Sequence, residues 1–226
     1  MVRFALAIAL AAAPWGLVAG EAAAEKPKAE KPEAEKPKPE KLAPGTYAHI
    51  ETAKGEIVVR LLSDSAPKAV ANFVELAKGE RPWKDAKGRW VARPYYNGLT
   101  FHRIENGSLK LIQGGCPKGD GSGGPGYKFD DEIDEKLKFG QPGVVAMANS
   151  GRDTNGSQFF ITVAPAPSLS GRYTIFGEVA RGIDVTRAIS EMPAVEIANS
   201  GIHKAKDPVV IKKVTIEEVK AEAKTK

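Results

Sequence analysis

Residues 143–162, GVVAMANSGRDTNGSQFFIT, constrain the fold of this chain more than any other stretch. An apolar run ends in Ala148-Asn149, a polar glycine-containing loop follows, and a second apolar run carries Gln158, Phe159, Phe160 and Ile161. Two strands joined by a loop account for this pattern. A period of two on the second strand puts Gln158 and Phe160 on one face and Phe159 and Ile161 on the other. One face then offers an amide beside a flat apolar ring, which suits a peptide better than a metal or a phosphate.

Upstream, residues 99–115 read LTFHRIENGSLKLIQGG. Alternation places Phe101 and Arg103 on one face of the first run and His102 and Ile104 on the other. On the next run, Leu109, Leu111 and Gln113 alternate against Lys110 and Ile112. If the two runs pair as a hairpin, Arg103 and Gln113 share a face. His102, set opposite Arg103 by the same rule, reads as a structural histidine satisfied by hydrogen bonds. Taken alone, an arginine in a strand is most often a surface charge with a snorkelling stem, and Phe159, Phe160 and Ile161 could all be core.

FHR at 101–103, QGG at 113–115, GDGSGGPGY at 119–127, MAN at 147–149, NGSQFFI at 155–161 and FGEV at 176–179 make the chain similar to the cyclophilins, peptidyl-prolyl cis/trans isomerases. The resemblance spans roughly residues 45–220 and keeps the family's order of blocks. It implies an isomerase acting on Xaa-Pro bonds of proline-containing polypeptides. It also implies a mainly β fold, a closed eight-stranded antiparallel barrel capped by two α-helices. Peptide-bond rotation faces a barrier of about 18–20 kcal/mol, and catalysis of it requires no nucleophile, general base, metal or other cofactor. The resemblance makes Arg103 the catalytic donor to the prolyl nitrogen. It makes Phe101, Leu111, Gln113, Ala148, Asn149, Gln158, Phe160, Leu169 and Tyr173 the substrate-binding set. Gln113 and Gln158 orient, Ala148 and Asn149 bind the extended backbone, Phe160 floors the proline pocket, and Leu111, Leu169 and Tyr173 wall it. Tyr173 stands where many members have histidine.

The chain departs from the family pattern at three places. Two extra residues lie between Arg103 and Gln113. Lys110 falls where a pocket phenylalanine is usual, a space Leu109 could fill if the extra residues form a bulge. Ser168 stands where members sensitive to cyclosporin A have tryptophan. The insertion and Lys110 leave open an alternative, a catalytically weak proline-peptide binding module or chaperone on the same fold.

Several literal motif matches fail on context. Gly119, Gly121 and Gly124 fit G-x-G-x-x-G, but Pro125-Gly126 follow at once and no helix can start there. GDGSGGP differs by one glycine from a serine-protease loop and lacks its context. Asn106-Gly-Ser and Asn155-Gly-Ser read as turns. Cys116 is the single cysteine, so no intrachain disulfide forms, and it reads as a buried structural thiol. No spacing of histidine, cysteine or acid suggests a metal site.

The N-terminus reads separately. Arg3 and the apolar stretch Phe4–Ala19 form a signal peptide over residues 1–20, with cleavage after Gly20 or among Ala22–Ala24. The chain is then an exported bacterial protein of the periplasm that assists folding of exported clients. The alternative is an uncleaved N-terminal tether to the membrane. Residues 21–44 repeat AEKP and read as a disordered Lys/Glu/Pro-rich spacer. Residues 45–220 form the domain, and 221–226 a tail. The net charge of +5, or +4 without Arg3, is too small and dispersed for a nucleic-acid partner. The domain is expected to act as a monomer.

Within the domain, Tyr47–Thr52 and Glu56–Leu62 flank a turn at Lys54-Gly55. Asp64 or Ser65 is expected to cap a helix that begins near Pro67 and buries Val70, Phe73, Val74 and Ala77. Residues 80–95 read as a surface loop pinned by Trp83 and Trp90. Tyr173–Val179 reads as a strand, Gly182–Ser190 as a helix with Val185, Ala188 and Ile189 inward, and Val209–Val219 as the closing strand. Without an indole at Ser168, cyclosporin A should bind weakly; nanomolar inhibition in a peptide-isomerisation assay would overturn this.

Overall fold

The computed structural model describes residues 41–197 and 202–221. The signal-peptide, cleavage and spacer readings lie outside these residues except at 41–44, as does nearly all of the C-terminal tail.

The strands are β1 (Gly45–Thr52), β2 (Gly55–Leu61), β3 (Trp83–Lys84), β4 (Trp90–Val91), β5 (Thr100–Asn106), β6 (Lys110–Gly114), β7 (Val144–Met147), β8 (Phe159–Thr162), β9 (Ile175–Arg181), β10 (Ala194–Glu196) and β11 (His203–Val219). The helices are α1 (Pro67–Lys78) and α2 (Ile183–Ser190). The main sheet runs β1-β2-β9-β7-β8-β6-β5-β11 and closes because β11 also pairs with β1, all antiparallel. β10 adds to the edge of β11. Closure leaves those eight strands without a free edge. The fold is the eight-stranded barrel with two helices implied by the sequence resemblance.

Alternation on the strands makes two hydrophobic clusters. Ile112, Val145, Met147, Phe159 and Ile161 face the barrel interior. Leu111, Val144, Ala146 and Phe160, their sequence neighbours, face outward into a second cluster with Phe139, Ala166 and Ile175. The split of Phe159 and Ile161 from Phe160 follows the expected period of two. α1 lays Phe73 on the interior, its ring 4.7 Å from Tyr96, 5.5 Å from Phe159 and 5.4 Å from Phe176. Aromatic pairs in this range add to the area they bury. α2 contributes the fully buried Ile189. Gly182, which starts α2, has φ +84°, and any side chain there would overlap the Glu56 carbonyl, so glycine is required on both counts.

Four local expectations need correction. Neither Asp64 nor Ser65 caps α1. The helix starts after Ala66 without a side-chain cap from its own segment, and Ser65 Oγ donates to Asp134 instead. The carboxylate of Glu132 accepts from the backbone N–H of Lys68 and Ala69 at 3.0 and 2.8 Å, so the free donors of the first turn are met from a distant segment. Residues 80–95 contain the β3–β4 hairpin rather than a plain loop. Trp83 is buried with Nε1 donating to the Arg93 carbonyl, while Trp90 is 55% exposed. On α2, Thr186 is buried and Ala188 is exposed.

The interior rings make a clear prediction. Phe159→Ala removes a fully buried ring that touches Phe73, Tyr96 and Phe101, and it should cost about 3–5 kcal/mol in urea unfolding. A loss below about 1 kcal/mol would mean that the interior collapses around the gap.

Candidate active site

Three strands line up the polar half of the site. Arg103 on β5 lies directly opposite Gln113 on β6, and Gln113 lies directly opposite Phe160 on β8. Neighbouring strands are about 4.8 Å apart, so one row across the sheet carries a guanidinium, an amide and an aromatic ring. Arg103 Nη1 donates to Gln113 Oε1 at 3.2 Å. Gln113 Nε2 donates to Gln158 Oε1 at 2.9 Å. Gln158 Nε2 donates to the carbonyls of Gly121 and Gly123, both at 2.8 Å. This chain of amides fixes the donor end of Arg103 and ties it to the 119–124 loop.

The apolar half is the outward cluster. Phe160 is only 3% exposed; its ring stacks on Phe139 at 5.7 Å and meets Tyr173 edge-on at 5.3 Å. Leu111 is buried in the same cluster, and Ala148, Leu169, Tyr173 and Leu109 pack against it. Leu169 ends a short 3-10 turn, Pro167–Leu169, and Ser168 on that turn is exposed. Ala148 N donates to the Gln158 carbonyl, which sets Asn149 at the rim. Asn149 Oδ1 accepts from Gly151 N at 3.3 Å.

The structure therefore brings together Arg103, Gln113, Gln158, Leu111, Ala148, Asn149, Phe160, Leu169 and Tyr173. It does not bring Phe101 with them. Phe101 is fully buried in the barrel interior, 6.0 Å from Phe159. Alternation on β5 breaks between Phe101 and Ile104, both in the interior, where the β5–β11 ladder also shifts register: two positions along β5, Arg103 to Phe101, are matched by five along β11, Lys204 to Val209. Asp207-Pro208 fall within the shift, and proline has no N–H to give to a ladder. The same slip overturns the reading of His102. It lies on the outer side under the 119–123 loop, with Nε2 3.6 Å from where a methyl on Gly121 would stand. It is 4% exposed, and among the described residues neither ring nitrogen has a hydrogen-bond partner. Burial lowers its pKa against weaker opposing influences from the Thr100 backbone and Asp120.

The altered 105–110 turn contains no bulge. Arg103 to Asn106 pair with Gln113 to Lys110 in unbroken register, so the extra residues lengthen the hairpin. Lys110 points to solvent, and Leu109 packs on the Phe160 cluster in its place.

Behind the site, Tyr95 Oη and Ser157 Oγ are 2.6 Å apart, and Ser157 Oγ donates to the Gly115 carbonyl. Tyr96 Oη donates to the Ser157 carbonyl. Gly115 has φ +83°, and a side chain there would overlap the Ser157 carbonyl. The QGG segment is thus pressed against the residue that precedes Gln158. Cys116 is buried; its Sγ accepts from Gly123 N at 3.3 Å. Among the described residues no group of three or more His, Cys, Asp and Glu side chains could hold a metal ion.

Glu105 is the feature of the site that reading by motif missed. Its carboxylate accepts from Arg103 Nε at 2.9 Å, from His203 N at 3.1 Å and, at the other oxygen, pairs with His203 Nδ1 at 2.8 Å. The signal was available, since a residue two places past Arg103 on a strand shares its face.

Comparison with known proteins identifies the family. The family model described as cyclophilin type peptidyl-prolyl cis-trans isomerase/CLD matches residues 47–220. A peptidyl-prolyl cis-trans isomerase B of Streptomyces anulatus is 46% identical over 179 residues, covering 78% of this chain and 99% of the relative. A peptidyl-prolyl cis-trans isomerase A of Mycobacterium tuberculosis is 47% identical over 173 residues, covering 75% and 91%. The crystal structure of a Cryptosporidium parvum cyclophilin type peptidyl-prolyl cis-trans isomerase superposes with a TM-score of 0.64 at 34% identity, covering 77% of this chain and 98% of that one. The chain belongs to the cyclophilin-type peptidyl-prolyl cis-trans isomerases and shares their enzymatic activity.

Burial raises the Glu105 pKa, but the hydrogen bonds from Arg103 and His203 outweigh it and leave the carboxyl below its ordinary value of 4.5. A depressed carboxyl pKa contributes stability that is present above the unfolded value and lost as pH falls through the folded one. In urea unfolding, the stability advantage of wild type over Glu105→Gln should therefore hold at neutral pH and shrink below about pH 4.5. A difference that stays constant down to pH 3, taken here as roughly the lower end of ordinary carboxyl titration, would contradict it.

Proposed function

We propose that Arg103 is the catalytic donor and that the row it shares with Gln113 and Phe160 holds the reacting Xaa-Pro bond. As the C–N bond twists it loses the resonance that makes it planar, and the prolyl nitrogen becomes pyramidal and able to accept a hydrogen bond. A donor already aimed at that nitrogen stabilises the twisted state more than either planar one. The observation that carries this reading is the double anchoring of the guanidinium, through Nε to Glu105 and Nη1 to Gln113, in the same row as the ring of Phe160. Leu111, Phe160, Leu169 and Tyr173 would receive the proline ring, and Ala148 and Asn149 the extended backbone. The neighbouring groove of about 200 Å³, lined by Gly121–Pro125, Ala148–Ser150 and Gln158 among others, would take chain preceding the proline.

Cis/trans exchange of an Ala-Pro peptide measured with the full chain tests the assignment. Arg103→Ala should lose about 10²–10³-fold in kcat/KM, the scale on which loss of one preorganised donor is felt. An unchanged rate would remove Arg103 from the chemistry.

We further propose that the protein is exported, acts as a monomer on folding clients and binds cyclosporin A weakly. The charged start and apolar stretch of residues 3–19 support export; the exposed serine at 168 supports weak drug binding. Among the described residues no helix is long and apolar enough to cross a membrane. N-terminal sequencing of the protein recovered from its native compartment should begin after Gly20 or among Ala22–Ala24. An intact Met1 in the membrane fraction would instead support the tether.

A further inference from the structure

We propose that Glu105 is a positioning residue for isomerisation, holding the Arg103 guanidinium in its donating orientation, with His203 holding Glu105 in turn. This rests on the assignment of Arg103 as the donor.

Strand periodicity puts Arg103 and Glu105 on one face of β5, and their pairing with Gln113 and Leu111 is regular. The Arg103 side chain keeps 27% of its surface, whereas that of Glu105 keeps 8%. The carboxylate is therefore buried beside a partly open guanidinium, and it faces it from within the protein. Both of its oxygens are engaged: Oε1 by Arg103 Nε and His203 N, Oε2 by His203 Nδ1. Two contacts to different nitrogens of a planar guanidinium stop it from turning about its own stem. Nε goes to Glu105 and Nη1 to Gln113, and five donors on a fixed fork leave N–H groups over for a substrate. Gln113 alone would be one neutral contact of 3.2 Å, around which the long arginine side chain could still swing.

His203 comes from another part of the barrel. β11 pairs with β5 through Lys204 and Arg103, which brings His203 to the edge of the site. It also pairs with Glu196 of β10. The donor is thereby braced from three strands: β5 through Glu105, β6 through Gln113 and β11 through His203. A buried carboxylate needs partners for its charge, and among the described residues its side-chain partners are the donor itself and the residue that steadies it.

A double-mutant cycle in the full chain separates positioning from general support of the fold. Cis/trans exchange of the Ala-Pro peptide is measured for wild type, Glu105→Ala, Glu105→Gln, Arg103→Ala and the Arg103→Ala/Glu105→Ala double variant. Glu105→Ala should lower kcat by about tenfold to a hundredfold, the scale of a misplaced reacting group, with KM changed far less. Glu105→Gln, which has the same shape and keeps an acceptor, should recover part of that loss and serves if the alanine variant does not fold. In the Arg103→Ala background, Glu105→Ala should cost nothing further. Wild-type kcat in both Glu105 variants, with Arg103→Ala impaired, would overturn the positioning role alone. The same fold-loss on both backgrounds would overturn it too, because Glu105 would then act on the fold and not through Arg103. Full activity of Arg103→Ala would be the separate failure of the donor assignment, and the positioning role would fall with it.

Discussion

The antiparallel register of β5, β6 and β8 is the constraint on which the site depends. It sets Arg103, Gln113 and Phe160 side by side although 57 positions separate the first from the last in the chain. A slip of one residue in either pairing would send the amide or the ring into the barrel. The register is held from the other face. Ile104, Ile112, Phe159 and Ile161 are all fully buried in the interior, so any slip would also expose four large apolar side chains. At about 1.5–3 kcal/mol for each such side chain, the hydrophobic interior fixes the position of the polar exterior. The row from Arg103 to Phe160 is thereby positioned from the opposite face of the sheet.

The charged pair of Arg103 and Glu105 carries a different kind of cost. Removing a carboxylate from water is unfavourable unless its oxygens are fully engaged. Glu105 has both oxygens engaged, by contacts from Arg103 and His203. The guanidinium keeps part of its surface in water, so it is not the group that bears most of the desolvation. The two groups are unequal: the anion is buried, and the cation beside it is anchored through Nε while part of its surface remains exposed.

The outward cluster and the row of polar groups were legible in the sequence because both obey a strict period of two. That rule separated Phe160 from Phe159 and placed Gln113 with Arg103. It failed at Phe101 and His102, two and one positions before Arg103. The break coincides with a register shift against β11 that spans Asp207-Pro208, about a hundred residues away in the chain, and no window on β5 contains that partner. The missing cap of α1 has the same origin. Asp64 and Ser65 had the right chemistry, but Glu132 reached the helix terminus from the far side of the sequence. Local patterns reveal which face a residue takes until a distant segment alters the ladder. Glu105 differs, for its position on the Arg103 face was local information. What the local pattern does not contain is its partner His203, which comes from β11.

The 105–110 turn shows how a hairpin two residues longer than the family resemblance implies can be accommodated next to Arg103. In a hairpin, extra residues can enter the ladder as a bulge, which rotates everything beyond them, or they can extend the loop, which leaves the strands alone. Here Asn106 pairs with Lys110 and the excess lies in Gly107-Ser108-Leu109. Gly107 and Ser108 are exposed, as loop tips that tolerate insertion usually are. Leu109 turns back onto the Phe160 cluster, so the longer loop returns an apolar side chain to the place that Lys110 vacates by facing water. The insertion thus changes which residue covers the pocket while the row from Arg103 to Phe160 keeps its spacing.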